Sequence, residues 1–200
     1  PYYLGSGTGF VRPMQVRRDL EIALCAARGA DVPLIVGSAG GSGARPHVDA
    51  FMETLREIAG RRGLHFTAAV IHADVPRAML RAACSRGRIR PCGPSPALTP
   101  EAVEKVSNPV AQFGTGPIVA ALAGGAQVVV AGRCCDTAVF AAYPIWKGFD
   151  PGLAMHCAKI AECGALCAYP AGANDSLLCT VARDHFVVEP VNPARVCTPG

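Results

Sequence analysis

Charge and aromatic rings are both scarce in this 200-residue sequence: 17% of its residues are charged and 6% aromatic. The basic residues are scattered, with Arg17-Arg18, Arg61-Arg62 and the stretch from Arg86 to Arg90 as the only small clusters, and aromatics are not interleaved with them. A nucleic-acid-binding face needs that combination, so no nucleic-acid partner is expected. Long apolar runs are missing too. No segment approaches the roughly 20 uninterrupted apolar residues of a membrane span, and no membrane partner is expected. No signal peptide is visible. The chain opens at Pro1-Tyr-Tyr without an initiator Met and stops just after Cys197-Thr-Pro, which reads as a piece of a longer protein. Among ten cysteines no Cys-x-x-Cys pair occurs, so neither a zinc ribbon nor a thioredoxin-type motif is supported. The glycines follow neither Gly-x-Gly-x-x-Gly in its usual position nor Gly-x-x-x-x-Gly-Lys-Ser/Thr, which weighs against a plain dinucleotide or Walker loop.

What the sequence does have is apolar bulk and punctuation. Half the residues are hydrophobic, with 22 Gly and 17 Pro and a net charge of +4, and the mean hydropathy is +0.28. A chain of this length can bury a real core, so residues 1–200 read as a single α/β domain with many short turns. Several cysteines sit inside apolar runs, such as Cys25 and Cys179. There a free thiol behaves as a small hydrophobe, and the protein reads as reduced and cytoplasmic.

Apolar residues recur at helical spacing from Gln15 to Ala30. Val32–Val36 reads as a buried strand, followed by a glycine-rich loop and a helix from about Pro46 to Ala59. Leu64–Ile71 is the next strand and Val75–Cys84 the next helix. Ser85–Leu98, rich in Arg, Gly and Pro, reads as a surface connection. Thr99-Pro-Glu is a helix start, with Thr99 as cap and Pro100 in the first turn. A helix over Pro117–Ala123 leads to the strand Gln127–Val130 and a second loop, Ala131–Thr137. Pro151–Cys167 reads as one further helix. Asn174-Asp175-Ser176 forms a turn before a hairpin of Ser176–Val181 and Phe186–Val191 around Arg183-Asp184. This alternation predicts a mostly parallel sheet with helices on both faces, a Rossmann-like three-layer α/β fold, with an antiparallel C-terminal hairpin.

Two loops can carry chemistry. In the first, Gly37, Ser38, Gly40 and Gly41 follow a strand, where glycines let the backbone turn and approach a ligand. Amides at the next helix start can bind an anion, and Arg45 and His47 add a cation and an imidazole; the plainer reading is a tight turn. In the second, Gly132, Arg133, Asp136 and Thr137 lie just past a strand's carboxyl end. Arg133 can grip a carboxylate with its fork of donors, and Asp136 can act as a base or simply pair with Arg133. Cys134 and Cys135 have no sequence-adjacent histidine to activate them. His72 ends the strand Leu64–Ile71, whereas His65 stands near its start. His156, Lys159, Cys163 and Cys167 share one face of the predicted last helix, which reads as close-packed interior more readily than as a metal or nucleophile face. Lys159 and Glu162 sit among small neighbours and need partners if buried.

Several of these segments together resemble a known family. Pro1-Tyr-Tyr-Leu-Gly-Ser-Gly, Pro33-Leu-Ile-Val-Gly-Ser-Ala-Gly-Gly, Gly63-Leu-His-Phe, Ala131-Gly-Arg-Cys-Cys-Asp-Thr-Ala, Ala158-Lys-Ile-Ala-Glu-Cys-Gly-Ala, Asp184-His-Phe-Val-Val-Glu-Pro-Val-Asn-Pro-Ala and Cys197-Thr-Pro resemble, in order, the acyclic terpene utilisation AtuA family. The resemblance implies a cytosolic protein associated with catabolism of branched, isoprenoid-like or other small carboxylic compounds. It also implies a longer protein, with an upstream glycine- and aspartate-rich strand-loop and further sequence downstream. Cys134 and Cys135 stand where the family pattern implies small residues, and Cys92 sits in the proline-rich connection; both argue against cysteine chemistry as the shared mechanism.

The expected function is an enzyme acting on a small carboxylate or acyl-CoA by hydration, dehydration or isomerisation. Gly37, Ser38, Gly40, Gly41, Arg45, Gly132, Arg133 and Thr137 would bind the ligand, and Asp136, His47, His72 or His156 would move the proton. The alternative is a non-catalytic acyl-CoA-binding subunit of a carboxylase-type pathway. No cofactor is named and no metal site is expected; a homo-oligomer is.

Overall fold

The computed structural model describes residues 2–172 and 175–198. They form eight α-helices, two short 3-10 turns and five strands. In chain order these are α1 (Tyr2–Ser6), α2 (Pro13–Gly29), β1 (Leu34–Val36), α3 (Arg45–Arg62), β2 (Ala68–Ile71), α4 (Arg77–Ser85), α5 (Pro100–Lys105), α6 (Gly116–Ala123), β3 (Val128–Ala131), α7 (Asp136–Trp146), α8 (Pro151–Ala161), β4 (Leu177–Val181) and β5 (Phe186–Pro190), with 3-10 turns at Ala39–Gly41 and Gly164–Cys167. Among the described residues no helix is long and apolar enough to cross a membrane.

Three strands make a parallel sheet in the order β1-β3-β2, and β4 and β5 make a separate antiparallel hairpin. Register runs Ile35 against Val129 on one side and Ala69 against Val129 on the other. Flanked on both sides, β3 buries all four of its residues completely. Each of the valines Val128, Val129 and Val130, covered above and below, contributes about 1.5–3 kcal/mol of burial. Because side chains alternate along a strand, Val128 and Val130 face one cluster and Val129 the other. The first cluster takes Leu20 and Leu24 of α2 and Val48, Met52, Leu55 and Ile58 of α3, residues spaced by three and four along their helices. The second takes Ile118 and Leu122 of α6 and Ala138 and Ala142 of α7. Helices therefore pack on both faces of the sheet.

Strands β1 and β2 are shorter than the sequence predicts. Pro33 has no amide to donate, and regular pairing of β1 begins only at Leu34. Thr67 already accepts from Gln127 N at 2.8 Å, but the ladder proper starts at Ala68. Thr99 caps α5 as predicted, accepting from Ala102 N at 3.2 Å. Two differences are larger. Helix α7 occupies a stretch that the sequence reading leaves unassigned, and it carries Pro144 in its interior. The predicted Pro151–Cys167 helix stops at Ala161, and Gly164 beyond it adopts φ +58°. Cys163 and Cys167 consequently leave the face that holds His156 and Lys159, and the expected four-residue stripe does not form. Asn174 lies outside the described residues. The hairpin turns around Arg183-Asp184 as predicted, with Ala182 N donating to His185 O at 2.8 Å.

Candidate functional site

Parallel pairing sends the carboxyl ends of β1, β2 and β3 to the same edge, with the β3 loop in the middle. The two loops singled out from the sequence meet there. Ser38 N donates to Gly132 O at 3.2 Å, and Arg133 N to Gly43 O at 3.0 Å. Gly132 N closes the third side by donating to Ile71 O at 2.7 Å. Contact this close leaves no room for side chains. A Cβ on Gly43, already at φ +69°, would stand 2.2 Å from Arg133 N, and one on Gly132 would stand 2.7 Å from Gly43 O. These glycines are therefore set by loop meeting loop. Ser38 adds to the junction from a left-handed conformation, φ +43°, that is unusual for a non-glycine residue. Its hydroxyl lies 3.4 Å from both the amide and the carbonyl of Cys134.

The start of α3 is built differently from its sequence signal. Ala44 at the cap position has no side-chain acceptor. Asp74, in the loop after β2, supplies one instead: its Oδ1 accepts from Arg45 N at 3.0 Å. A carboxylate thus already sits at the positive end of the helix, while the Arg45 side chain is exposed. The second oxygen, Oδ2, is buried without a partner among the described residues. Sequence reading passes over Asp74, although its place three residues past β2 matches the position of the two loops it did select.

His47 is 2% exposed. Its Nε2 lies 3.0 Å from Tyr3 O and 2.9 Å from Thr8 O, two acceptors that require Nε2 to carry the proton and donate. The buried Nδ1 has no partner among the described residues. Asn108 also donates to Leu4 O at 2.8 Å, and Phe10 N to Gly40 O at 3.1 Å. Together these bonds strap residues 2–10 across the glycine loop.

Between the strap and the β3 loop lies a cavity of about 380 Å³ lined by Leu4, Gly41, Ser42, Val110, Gln112 and Arg133. Arg133 is half-buried and takes part in none of the ion pairs among the described residues. In particular it does not pair with Asp136, which is exposed in the first turn of α7. Thr137, 6% exposed, meets Cys135 Sγ through its hydroxyl at 3.0 Å. His72 is exposed just beyond β2. His156 is not brought to this edge: it lies on α8 with its ring edge-on to Phe186 of the hairpin, centroids 5.0 Å apart. Of the residues picked out in the loops past β2 and β3, Arg133 alone lines this cavity with a charged side chain, while Asp136 and His72 are exposed outside its lining and His47 and Asp74 act as ties. Among the described residues no group of three or more His, Cys, Asp or Glu side chains is placed to hold a metal ion. A larger cavity lies elsewhere, between α7, α8 and β4.

No curated protein and no solved structure matches the chain. The family model described as acyclic terpene utilisation family protein AtuA matches residues 9–176, a span that contains all three strand ends and every candidate residue at them, and the chain belongs to this family.

Proposed function

We propose that the carboxyl edge of the sheet binds a small carboxylate or an acyl-CoA and that the protein is an enzyme acting on that ligand. Family membership associates the chain with acyclic terpene utilisation; branched small-carboxylate catabolism is the narrower reading. The observation that carries the proposal is Arg133: a half-buried guanidinium, in none of the ion pairs among the described residues, lining a cavity beside the loops that follow β1 and β3. Open α/β sheets bind ligands at this edge, and the guanidinium fork suits a carboxylate or phosphate. The uncapped start of α7 adds its positive dipole end from the same loop. Helices on both faces of a parallel sheet support a Rossmann-like three-layer reading, and ten free thiols support a cytoplasmic setting.

Asp136 and His72 are the groups available to move a proton in a hydration, dehydration or isomerisation next to a carbonyl. His47 is committed to the strap and serves the site as a positioning residue. A second reading, a non-catalytic acyl-CoA-binding subunit, is favoured by one observation: no hydrogen bond links the titratable side chains at this edge into an acid–base pair among the described residues.

The test is calorimetric titration with free acyl carboxylates and acyl-CoAs, followed by turnover assays without any partner protein. Arg133→Ala is expected to weaken binding about tenfold to a hundredfold, the equivalent of one charged hydrogen-bonded contact, with an unchanged circular dichroism spectrum. Binding lost in Arg133→Ala, with no turnover of any bound ligand, selects the accessory-subunit reading. Unchanged affinity and turnover in both Arg133→Ala and Asp136→Ala would sink the assignment of this edge.

A further inference from the structure

We propose that the half-open cavity between α7, α8 and β4 is a second binding site, for an uncharged aliphatic molecule that carries a hydroxyl group. The cavity measures about 740 Å³, within the range of small-molecule sites. Phe140 and Phe149 form its wall on the α7 side, and Leu177 and Val181 come from β4. Leu177, Cys179 and Val181 of β4 are only half-covered by protein, Thr180 also reaches the cavity, and Leu178 is exposed outside it. A two-stranded hairpin is marginal by itself, so apolar material under that face supplies contacts that α8 does not.

Charge selects the class of occupant. Among the described residues no Lys, Arg or His lines the cavity; its ionisable groups are Glu162, Asp175, the phenol of Tyr143 and two thiols, Cys157 and Cys179. Both carboxylates are already matched from outside the lining, Glu162 by Lys159 and Asp175 by Arg195. The thiols stay protonated, since burial raises Cys157 and pushes Cys179 up to about 12. An anionic ligand would meet two carboxylates and no cation, and a cationic one would compete with Lys159 and Arg195 for partners already taken. A neutral molecule meets neither obstacle. Its hydroxyl finds an acceptor in Glu162, whose Oε1 alone is engaged by Lys159. This charge character is opposite to that of the Arg133 edge, so the two cavities discriminate between different ligands.

The experiment uses the full chain, the neutral dye N-phenyl-1-naphthylamine, and 1-decanol and decanoate as competing probes at pH 8. Decanol is expected to displace the dye at concentrations at least tenfold below decanoate. Cys179→Phe, which fills the cavity, should abolish dye uptake, whereas Arg133→Ala should leave it unchanged. On the unmodified protein, decanol should slow amide exchange in β4 several-fold, a readout that holds if Cys179→Phe fails to fold. Displacement by decanoate at equal or lower concentration, dye uptake that disappears in Arg133→Ala, or β4 amide exchange indifferent to decanol overturns the proposal. So does dye uptake that falls with rising protein concentration, because the occupant is then a second copy of the chain.

Discussion

Asp74 caps α3 from 29 positions away, and its substitution should be felt at the far end of that contact. Asp74→Ala removes both the acceptor for Arg45 N and a negative charge at the positive end of the helix; a loss of about 1–2 kcal/mol is expected in urea unfolding. Asp74→Asn keeps an acceptor and should lose less. Cap rules look for a partner within three residues, so a cap supplied by another strand's loop leaves no local signature, and that is why Asp74 was illegible. His47 shows the opposite case. Its position at a helix start was legible, but its use was not, because Tyr3 and Thr8 become its neighbours only after folding. His47→Ala should release residues 2–10, seen as faster amide exchange at Phe10, whose hydrogen bond to Gly40 depends on the strap. Gly43→Ala should destabilise by more than about 1 kcal/mol, since the methyl meets main chain rather than a movable side chain.

At the scale of elements, the hairpin is the unit most dependent on a single polar node. Asp175, just before β4, accepts from Arg195 and from Asn192 Nδ2 (3.1 Å), both beyond β5. These bonds hold its carboxyl below the ordinary 3.8, the Arg195 hydrogen bond first. A depressed native value means that the stabilisation is fully present above pH 3.8 and is lost as pH falls below it, through the native value. Acid titration followed by amide exchange in β4 and β5 should show the hairpin loosening in that window, and Asp175→Asn should remove this pH dependence while leaving the sheet intact. The hairpin itself was legible from alternation around Arg183-Asp184. Helix α7 was not, because Pro144 interrupts the pattern that marks a helix; its packing on α6 and α8 through Ala138, Ala141 and Ala142 outweighs the missing amide. The length of α8 was misread for a related reason: Ala and Cys continue the helical pattern past Ala161, while the stop comes from backbone conformation at Gly164.

For the molecule as a whole, strand-helix alternation made the parallel sheet legible and, with it, the meeting of two loops at one edge. The order β1-β3-β2 was not legible, since it depends on which helices can cover which face across more than fifty residues of chain. That order decides how stability is distributed. The four residues of β3 are sealed between two clusters, whereas Ala68 and Val70 of β2 remain exposed. Hydrogen exchange should therefore find its slowest amides in β3, exchanging only through global unfolding, with β2 and the hairpin opening at lower free energy. Equal protection across all five strands would contradict this distribution.

The junction of Gly43 with Gly132 has a consequence for how the edge can change. Main chain packed on main chain behaves as a rigid socket, whereas the groups that face the cavity are interchangeable heads mounted on it. A saturation library should show positions 43 and 132 closed to nearly every substitution, while 133 and 136 accept many with the fold intact. Under the proposed function, ligand preference at this edge is retuned through the side chain at 133 without rebuilding the frame that carries it.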